Sequence, residues 1–495
     1  MNITVVGGGT AGWVTALYAR HAFPHSSVTL IESSGIGILG AGEGTTPHFP
    51  SLLRHLDISM SDLIDNCGAT IKHAVKFSGW SEKRDYFHSF FDPYKIGVTN
   101  YGNMLNDFDF PTVDYSYSHC VETDQDSADY FVMSKLCQEN RVWLENDSAW
   151  AVHFDARRLA DYLKSIGLSR GIHLVDDVVE GFDQDESGNV RQVLLKDSHP
   201  VVTDFVFDAS GFHRVVIGKL FKSEWKSYRE FLPAKRALPF FLPTTDEIGP
   251  YTGAVAMKYG WMWRIPVQER YGCGYVFDSD FISDEEAKLE VETRLGHEVD
   301  VPKLFNFDAG SYQRIWINNC LAVGLAAGFV EPLEATSLWQ MVNTISGFFS
   351  QKENIVETDP RVKQAFNDQW VAQTDEIVDF LHLHYVTKKK GKFWGEFLNN
   401  NLVPDHNREL LDKIQYEVPK VTDFPDTKLF PYGSWMSILF GNDLISRSVC
   451  GKYSPMPLML SYLNERRSQV ADSMGMFVHH REYLNSLRQL EPHPG

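Results

Sequence analysis

Cysteine is sparse and scattered in this chain: Cys67, Cys120, Cys137, Cys273, Cys320 and Cys450 lie far apart, and no two form a CxxC pair. That spacing argues against a zinc site and against a disulfide framework, so no metal is expected and a reducing compartment fits best. Long hydrophobic runs are missing too; none approaches the roughly 20 residues that a bilayer-spanning helix needs. No basic block interrupts a chain whose formal net charge is -19. Neither nucleic acid nor a membrane is therefore an expected partner. An apolar strand starts at residue 3 with no charged leader before it, so a cytoplasmic location is expected. Internal repeats, low-complexity tracts and linkers are absent as well.

Aromatic residues, by contrast, are plentiful: 33 Phe, 20 Tyr and 12 Trp among 495 residues suit packed cores and flat ligands. The first segment carries the clearest pattern. "ITVV" (3–6) reads as a strand, "GGGTAGW" (7–13) as a glycine turn opening a helix, and "VTLIE" (Val28–Glu32) as a second strand. This is a complete βαβ unit with the G-x-G-x-x-G fingerprint at Gly7, Gly9 and Gly12. Gly7 allows the tight turn, Gly9 lets the backbone approach a pyrophosphate, and Gly12 lets helix and strand pack closely. Glu32 ends the second strand, where its carboxylate can accept from both hydroxyls of an adenosine ribose and repel a phosphorylated one. The motif alone does not separate FAD from NAD. The glycine-rich, nearly uncharged "GILGAGEGTTPHF" (Gly37–Phe49) leans towards FAD, because small residues let backbone approach an isoalloxazine or its ribityl chain.

Further along, residues 81–150 are polar and aromatic without sustained period and read as an insertion carrying loops. Phe154, Leu159, Leu163 and Ile166 recur at helical spacing, "HLVDDVVEGF" and "VRQVLLKD" read as antiparallel strands around "DESGN", and "DFVFDASGF" reads as a buried strand. A second sheet is expected over residues 216–320, and mainly helices from 351 onward. The expected domains are a region 1–350 and a helical region 351–495 that completes the substrate pocket. The fold class is α/β: a Rossmann-type FAD-binding domain of the flavin monooxygenase-like class, a substrate-region β-sheet and a helical C-terminal part.

Taken together, "GGGTAGW", "AVKFSGW" (Ala74–Trp80), "GWMWRIP" (Gly260–Pro266) and "FVEPLEATS" make the first 350 or so residues resemble the flavin-dependent tryptophan halogenase family. The resemblance implies that reduced FAD and oxygen convert halide (chloride, bromide or iodide) to hypohalous acid, which travels through a tunnel to an electron-rich, indole-like or phenolic ring. It implies cofactor contacts from Gly7, Gly8, Gly9, Thr10, Ala11, Gly12, Glu32, Ser33, Leu39, Glu43, Gly44, Val178, Leu325 and Leu338. Lys76 takes the family's lysine position. A buried ammonium there can donate to hypohalous acid, and a neutral amine can form a haloamine. Lys72 is expected to be a solvated surface charge.

In "EPLEATSLW" (Glu331–Trp339), Glu334 takes the position that faces the halogenation site opposite the lysine and stabilises the cationic ring or removes its proton. Glu331 is read as structural. Thr336 and Ser337 match the positions whose backbone N–H groups bind halide, a physically apt role for a helix mouth. Two departures stand out: Ala335 replaces the family's usual Ser, and Ser337 stands where the tryptophan-specific members have Gly. His88 and Phe90 match an aromatic substrate clamp, and Trp261 and Trp263 are expected in the substrate region, where walling off the flavin would argue against a hydroxylase. The Tyr and Glu cluster that holds the amino-acid portion of free tryptophan is not recognisable. The alternatives are a flavin hydroxylase and a catalytically silent flavin-binding protein. No reductase module is evident, so reduced FAD is expected by diffusion from a separate reductase; a homo-oligomer is expected.

Overall fold

Ile3, Thr4, Val5 and Val6 are all buried along the strand Asn2–Val6, as in a sheet covered on both faces. The strand pairs in parallel with Ser27–Glu32 on one side and Phe205–Asp208 on the other. The six-stranded sheet runs Trp316–Ile317, Cys320–Ala322, Phe205–Asp208, Asn2–Val6, Ser27–Glu32, His173–Asp176, and only its first pair is antiparallel. This is the expected α/β, Rossmann-type arrangement. The structure is a computed structural model and describes all residues except 36–41, 91–108, 146–148, 352–358, 401, 426–428, 454–456 and 490–495.

Two units divide the chain, and each is assembled from three stretches. The first comprises Met1–Ala69, Phe154–Arg229 and Asp308–Asp375; the second comprises Thr70–His153, Glu230–Phe307 and Glu376–Gly495. In the first, the helix Thr10–Ala22 packs on the helix Ala156–Ser169 through a notch: a Cβ on Gly167 would lie 2.5 Å from the ring of buried Trp13. Phe154 belongs to the strand Ala151–Phe154 and not to the helical series. Asp155 sets the helix start, its carboxylate accepting from the N–H groups of Arg157 and Arg158. The stretch expected as one hairpin strand divides. His173–Asp176 joins the parallel sheet, and Val179–Gln184 alone pairs antiparallel with Val190–Leu195. Asp177 makes the break by accepting from the N–H groups of Val178, Asp197 and Ser198, local bonds that compete with a continuous ladder.

The second unit holds a seven-stranded sheet in the order Phe305–Asn306, Arg236–Pro243, Arg270–Phe277, Gly260–Pro266, Tyr251–Ala256, Ala74–Ser78, Tyr86–Ser89. Only Ala74–Ser78 runs parallel to its neighbour, Tyr251–Ala256. Trp263 lies across Gly274, where a Cβ would come within 2.0 Å of its ring. Residues 81–150, read as loops, include the helices Asp109–Thr123 and Val132–Gln138. Ser, Tyr and His residues blur the helical period there, and packing holds the first helix: Tyr117 stacks on Phe440 at 5.0 Å and lies 4.8 Å from Phe131. Among the described residues no helix is long and apolar enough to cross a membrane, and all six cysteines are buried, none of them in a disulfide.

Candidate active site

The glycine turn is built by exclusion. Gly7 adopts φ +121°, and a Cβ there would lie 2.2 Å from the Ala209 carbonyl oxygen; a Cβ on Gly12 would lie 1.8 Å from that of Gly7. A Cβ on Gly8 would come within 2.0 Å of Glu32 Oε2. Gly9 differs, because a Cβ there meets nothing within 4 Å. Its open side adjoins the mouth of the helix Thr10–Ala22, which has no side-chain cap and no acid in its first turn. The N–H groups of Thr10 and Ala11 belong to that first turn, where a helix favours an anion.

Glu32 ends its strand as expected, and sequence reasoning missed its partner: Lys164 donates to Oε1 at 2.5 Å. Ser33 follows it, and the N–H of Ser34 donates to Asp176 at 2.9 Å. Val178, 39% exposed, comes just after the neighbouring strand. Leu325 sits in the turn Gly324–Ala326, where a Cβ on Gly324 would lie 2.9 Å from the Ala11 Cβ. These positions gather at the carboxyl ends of parallel strands, where such sheets bind ligands. Glu43 and Gly44 form a two-residue strand, and burial, then the charge of Asp155, pushes the Glu43 carboxyl up to about 7. Leu39 lies outside the described residues.

The second feature of this unit is the segment around Glu334. Glu331 and Glu334 are both buried. Glu334 (φ 67°) and Ala335 (φ 57°) are successive left-handed residues, neither a glycine, and such residues cost about 1–3 kcal/mol each unless the surroundings enforce them. They turn the chain into the helix Thr336–Phe349, whose N-cap, Ala335, offers no side-chain bond. Thr336 Oγ1 and Ser337 Oγ are buried with no hydrogen-bond partner among the described residues. Buried hydroxyls without partners beside an uncapped helix mouth fit an anion or a cofactor oxygen. Leu338 is the third residue of this helix, which packs on the turn Gly324–Ala326 and on the fingerprint helix. The glycine cradle and this mouth fit a dinucleotide and a small anion.

The second unit carries the remaining positions. Lys76, on Ala74–Ser78, keeps 32% of its side chain exposed; its Nζ lies 3.7 Å from Asp85 and about equally far from the rings of Phe87 (5.7 Å) and Tyr251 (5.9 Å). Asp85, which sequence reasoning missed, also accepts from Ser78 Oγ and the Gly79 N–H. His88 is buried with its ring 5.6 Å from Phe380, and the Phe90 N–H donates to the His73 carbonyl at 3.2 Å. Trp261 and Trp263 are both buried core rings, 6.3 Å apart. Lys72 contradicts its surface expectation: it is 1% exposed, with Nζ 4.9 Å from the Phe90 ring centre. Short strands place it inside, since Thr70–Lys72 pairs with Ala151–His153 and runs directly into His73, which is fully buried.

The tryptophan halogenase family model matches residues 2–456. The chain belongs to the tryptophan halogenase family. As a member it is a flavin-dependent halogenase, and the hydroxylase and silent-flavoprotein alternatives are not favoured. It is similar to the tryptophan 6-halogenase SttH of Streptomyces toxytricini, 31% identical over 90% of either chain. It is similar also to the 7-chloro-L-tryptophan 6-halogenase KtzR of a Kutzneria strain, 29% identical over 99% of this chain and 100% of that one. Among solved structures, Xcc4156, a flavin-dependent halogenase from Xanthomonas campestris, superposes with TM-score 0.87 at 26% identity, covering 98% of both chains. For this halogenase, Lys164 and Asp85 had no local signal: each meets its partner only through strand and helix packing.

Proposed function

We propose that this halogenase takes reduced FAD from a separate, diffusing reductase and halogenates a small electron-rich aromatic, indole-like or phenolic, in preference to free tryptophan. The observation that carries the reading is the uncapped helix mouth, one residue beyond Glu334, with the buried hydroxyls of Thr336 and Ser337. When bound, the flavin supplies the reduction of oxygen that turns halide into an electrophilic halogen. Gly7, Gly8, Gly9, Thr10, Ala11 and Gly12 would hold its pyrophosphate. Glu32 and Ser33 would hold its ribose. Leu39, Glu43, Gly44, Val178, Leu325 and Leu338 would line the rest.

The N–H groups of Thr336 and Ser337 would hold the halide, with the Ser337 hydroxyl as an added donor. Lys76 donates to, or as an amine carries, the electrophilic halogen, with the Asp85 carboxylate 3.7 Å from its Nζ. Glu334 stabilises positive charge on the attacked ring and accepts the ring proton, restoring aromaticity.

Preference for a bare ring follows from the surroundings of His88. Its ring neighbour is Phe380, on which Phe430 stacks at 3.7 Å and Trp435 packs at 5.0 Å. An ammonium or carboxylate left unsatisfied there costs about 1–3 kcal/mol, more when charged. Competition between indole and tryptophan at equal concentration, with reductase and halide supplied, tests this. Haloindole is expected to dominate, and a clear excess of halotryptophan overturns the substrate assignment.

A further inference from the structure

We propose that Lys72 is a positioning residue for the aromatic substrate: its buried ammonium sets the ring plane of Phe90. The inference rests on the reading of His88 and Phe90 as the substrate clamp.

Lys72 and Lys76 are four residues apart and live in different environments. Lys76 remains one-third exposed beside Asp85, whereas Lys72 is 1% exposed. A buried lysine is rare because desolvating an ammonium is expensive, so its placement calls for a local role. Its Nζ lies over the Phe90 ring at 4.9 Å from the centre, and the attraction of a cation to a ring face strengthens when water is excluded.

The next residue grips the same phenylalanine. The carbonyl of His73 accepts the Phe90 N–H at 3.2 Å. The His73 ring is itself locked, with Nδ1 2.9 Å from the Ala149 carbonyl oxygen and Nε2 accepting from the Trp143 N–H at 3.2 Å. The Lys72–His73 dipeptide therefore holds Phe90 by ring and backbone together.

His88 has a separate anchor, through its pairing with Val75 and its contact with Phe380. The last torsion of a phenylalanine is soft, so its backbone bond alone leaves the ring plane free. A cation over one face selects a plane before substrate arrives, which lowers the ordering cost of binding and leaves the chemical step untouched. The effect therefore belongs in KM.

The test is steady-state kinetics with indole as the substrate, at saturating reduced FAD and halide, with an FAD titration of each variant as the check on folding. Lys72→Met is expected to raise KM about 2- to 30-fold while kcat changes little, and Lys72→Arg, which keeps a cation, is expected to restore most of it. Phe90→Leu is expected to raise KM as well, with no further rise in the double variant. If Phe90→Leu leaves KM unchanged, the clamp reading itself fails. A rise with Phe90→Leu but none with Lys72→Met overturns the positioning role alone, and so does a Lys72→Met protein that keeps its KM and loses product.

Should Lys72→Met fail to fold, successive fluorination of phenylalanine at position 90 gives an independent readout. Fluorine weakens the negative ring face while keeping the shape. A cation-held ring then loses its anchor and KM rises stepwise, whereas direct stacking on an electron-rich substrate would improve. A flat or falling KM overturns the proposal.

Discussion

Gly9→Ala separates the ligand from the scaffold. An alanine methyl at this position meets nothing within 4 Å, and the backbone at φ -79°, ψ -175° is open to any residue. Two small effects oppose each other in the flavin-free protein. Reduced freedom of the unfolded chain stabilises by about 0.4–1 kcal/mol, while alanine caps a helix less well than glycine, by a similar amount of about 0.5–1 kcal/mol. The net change should lie within about 1 kcal/mol of zero. With FAD present, the same methyl occupies the space through which the backbone approaches the pyrophosphate. Crowding of that kind costs about 1–3 kcal/mol, or roughly 5- to 150-fold in affinity. Flavin fluorescence titration measures the second quantity, and thermal melts of the flavin-free protein measure the first. Gly7→Ala is the contrast, because its Cβ would lie 2.2 Å from the Ala209 oxygen at φ +121° and must disturb the fold itself. Wild-type FAD affinity in Gly9→Ala, or a loss of melting temperature equal to that of Gly7→Ala, refutes the reasoning.

Lys76→Ala is expected to oxidise reduced FAD with oxygen at the wild-type rate and to form no halogenated product, since Lys76 and the glycine cradle lie on different units; product analysis at wild-type yield would remove Lys76 from the mechanism. Acid should weaken the second unit through His480, whose Nε2 accepts the Ile71 N–H at 2.9 Å and whose Nδ1 faces the Ile248 carbonyl at 3.0 Å. Burial pushes its pKa down to about 3. Below the ordinary value of about 6.5 the unfolded chain takes up a proton that the folded ring refuses, so this stability is full above pH 6.5 and is lost towards pH 3 at about 1.4 kcal/mol per unit. His480→Gln should flatten the acid limb of melting temperature between roughly pH 6.5 and 4.5, and an unchanged limb would count against it.

The nucleotide-binding half was legible because its signal is local. Strand, glycine turn, helix and terminal acid fall within the first 32 residues, and the steric reasons for Gly7 and Gly12 appear in the structure as clashes with Ala209 and with Gly7 itself. The run from Glu331 to Ser337 was equally legible as acids leading into a helix mouth. Its two left-handed residues were not, since neither Glu334 nor Ala335 is a residue type that announces such a turn.

What sequence alone determined, then, was chemistry carried by neighbours in the chain: the fingerprint, the helix mouth, and the motifs that resemble the tryptophan halogenases. Tertiary structure decided which of those groups are dry. Lys72 and Lys76 share a strand-rich segment and the same charge, yet the strand Ala151–Phe154 and Phe90 lie against one, which is buried, and the hairpin carrying Asp85 leaves the other one-third exposed. Trp263 needed the register of Arg270–Phe277 to find the gap at Gly274. His480 meets Ile71 across 409 residues. Solvation of a charge and satisfaction of a buried N–H depend on atoms brought from distant parts of the chain, and no local pattern encodes them.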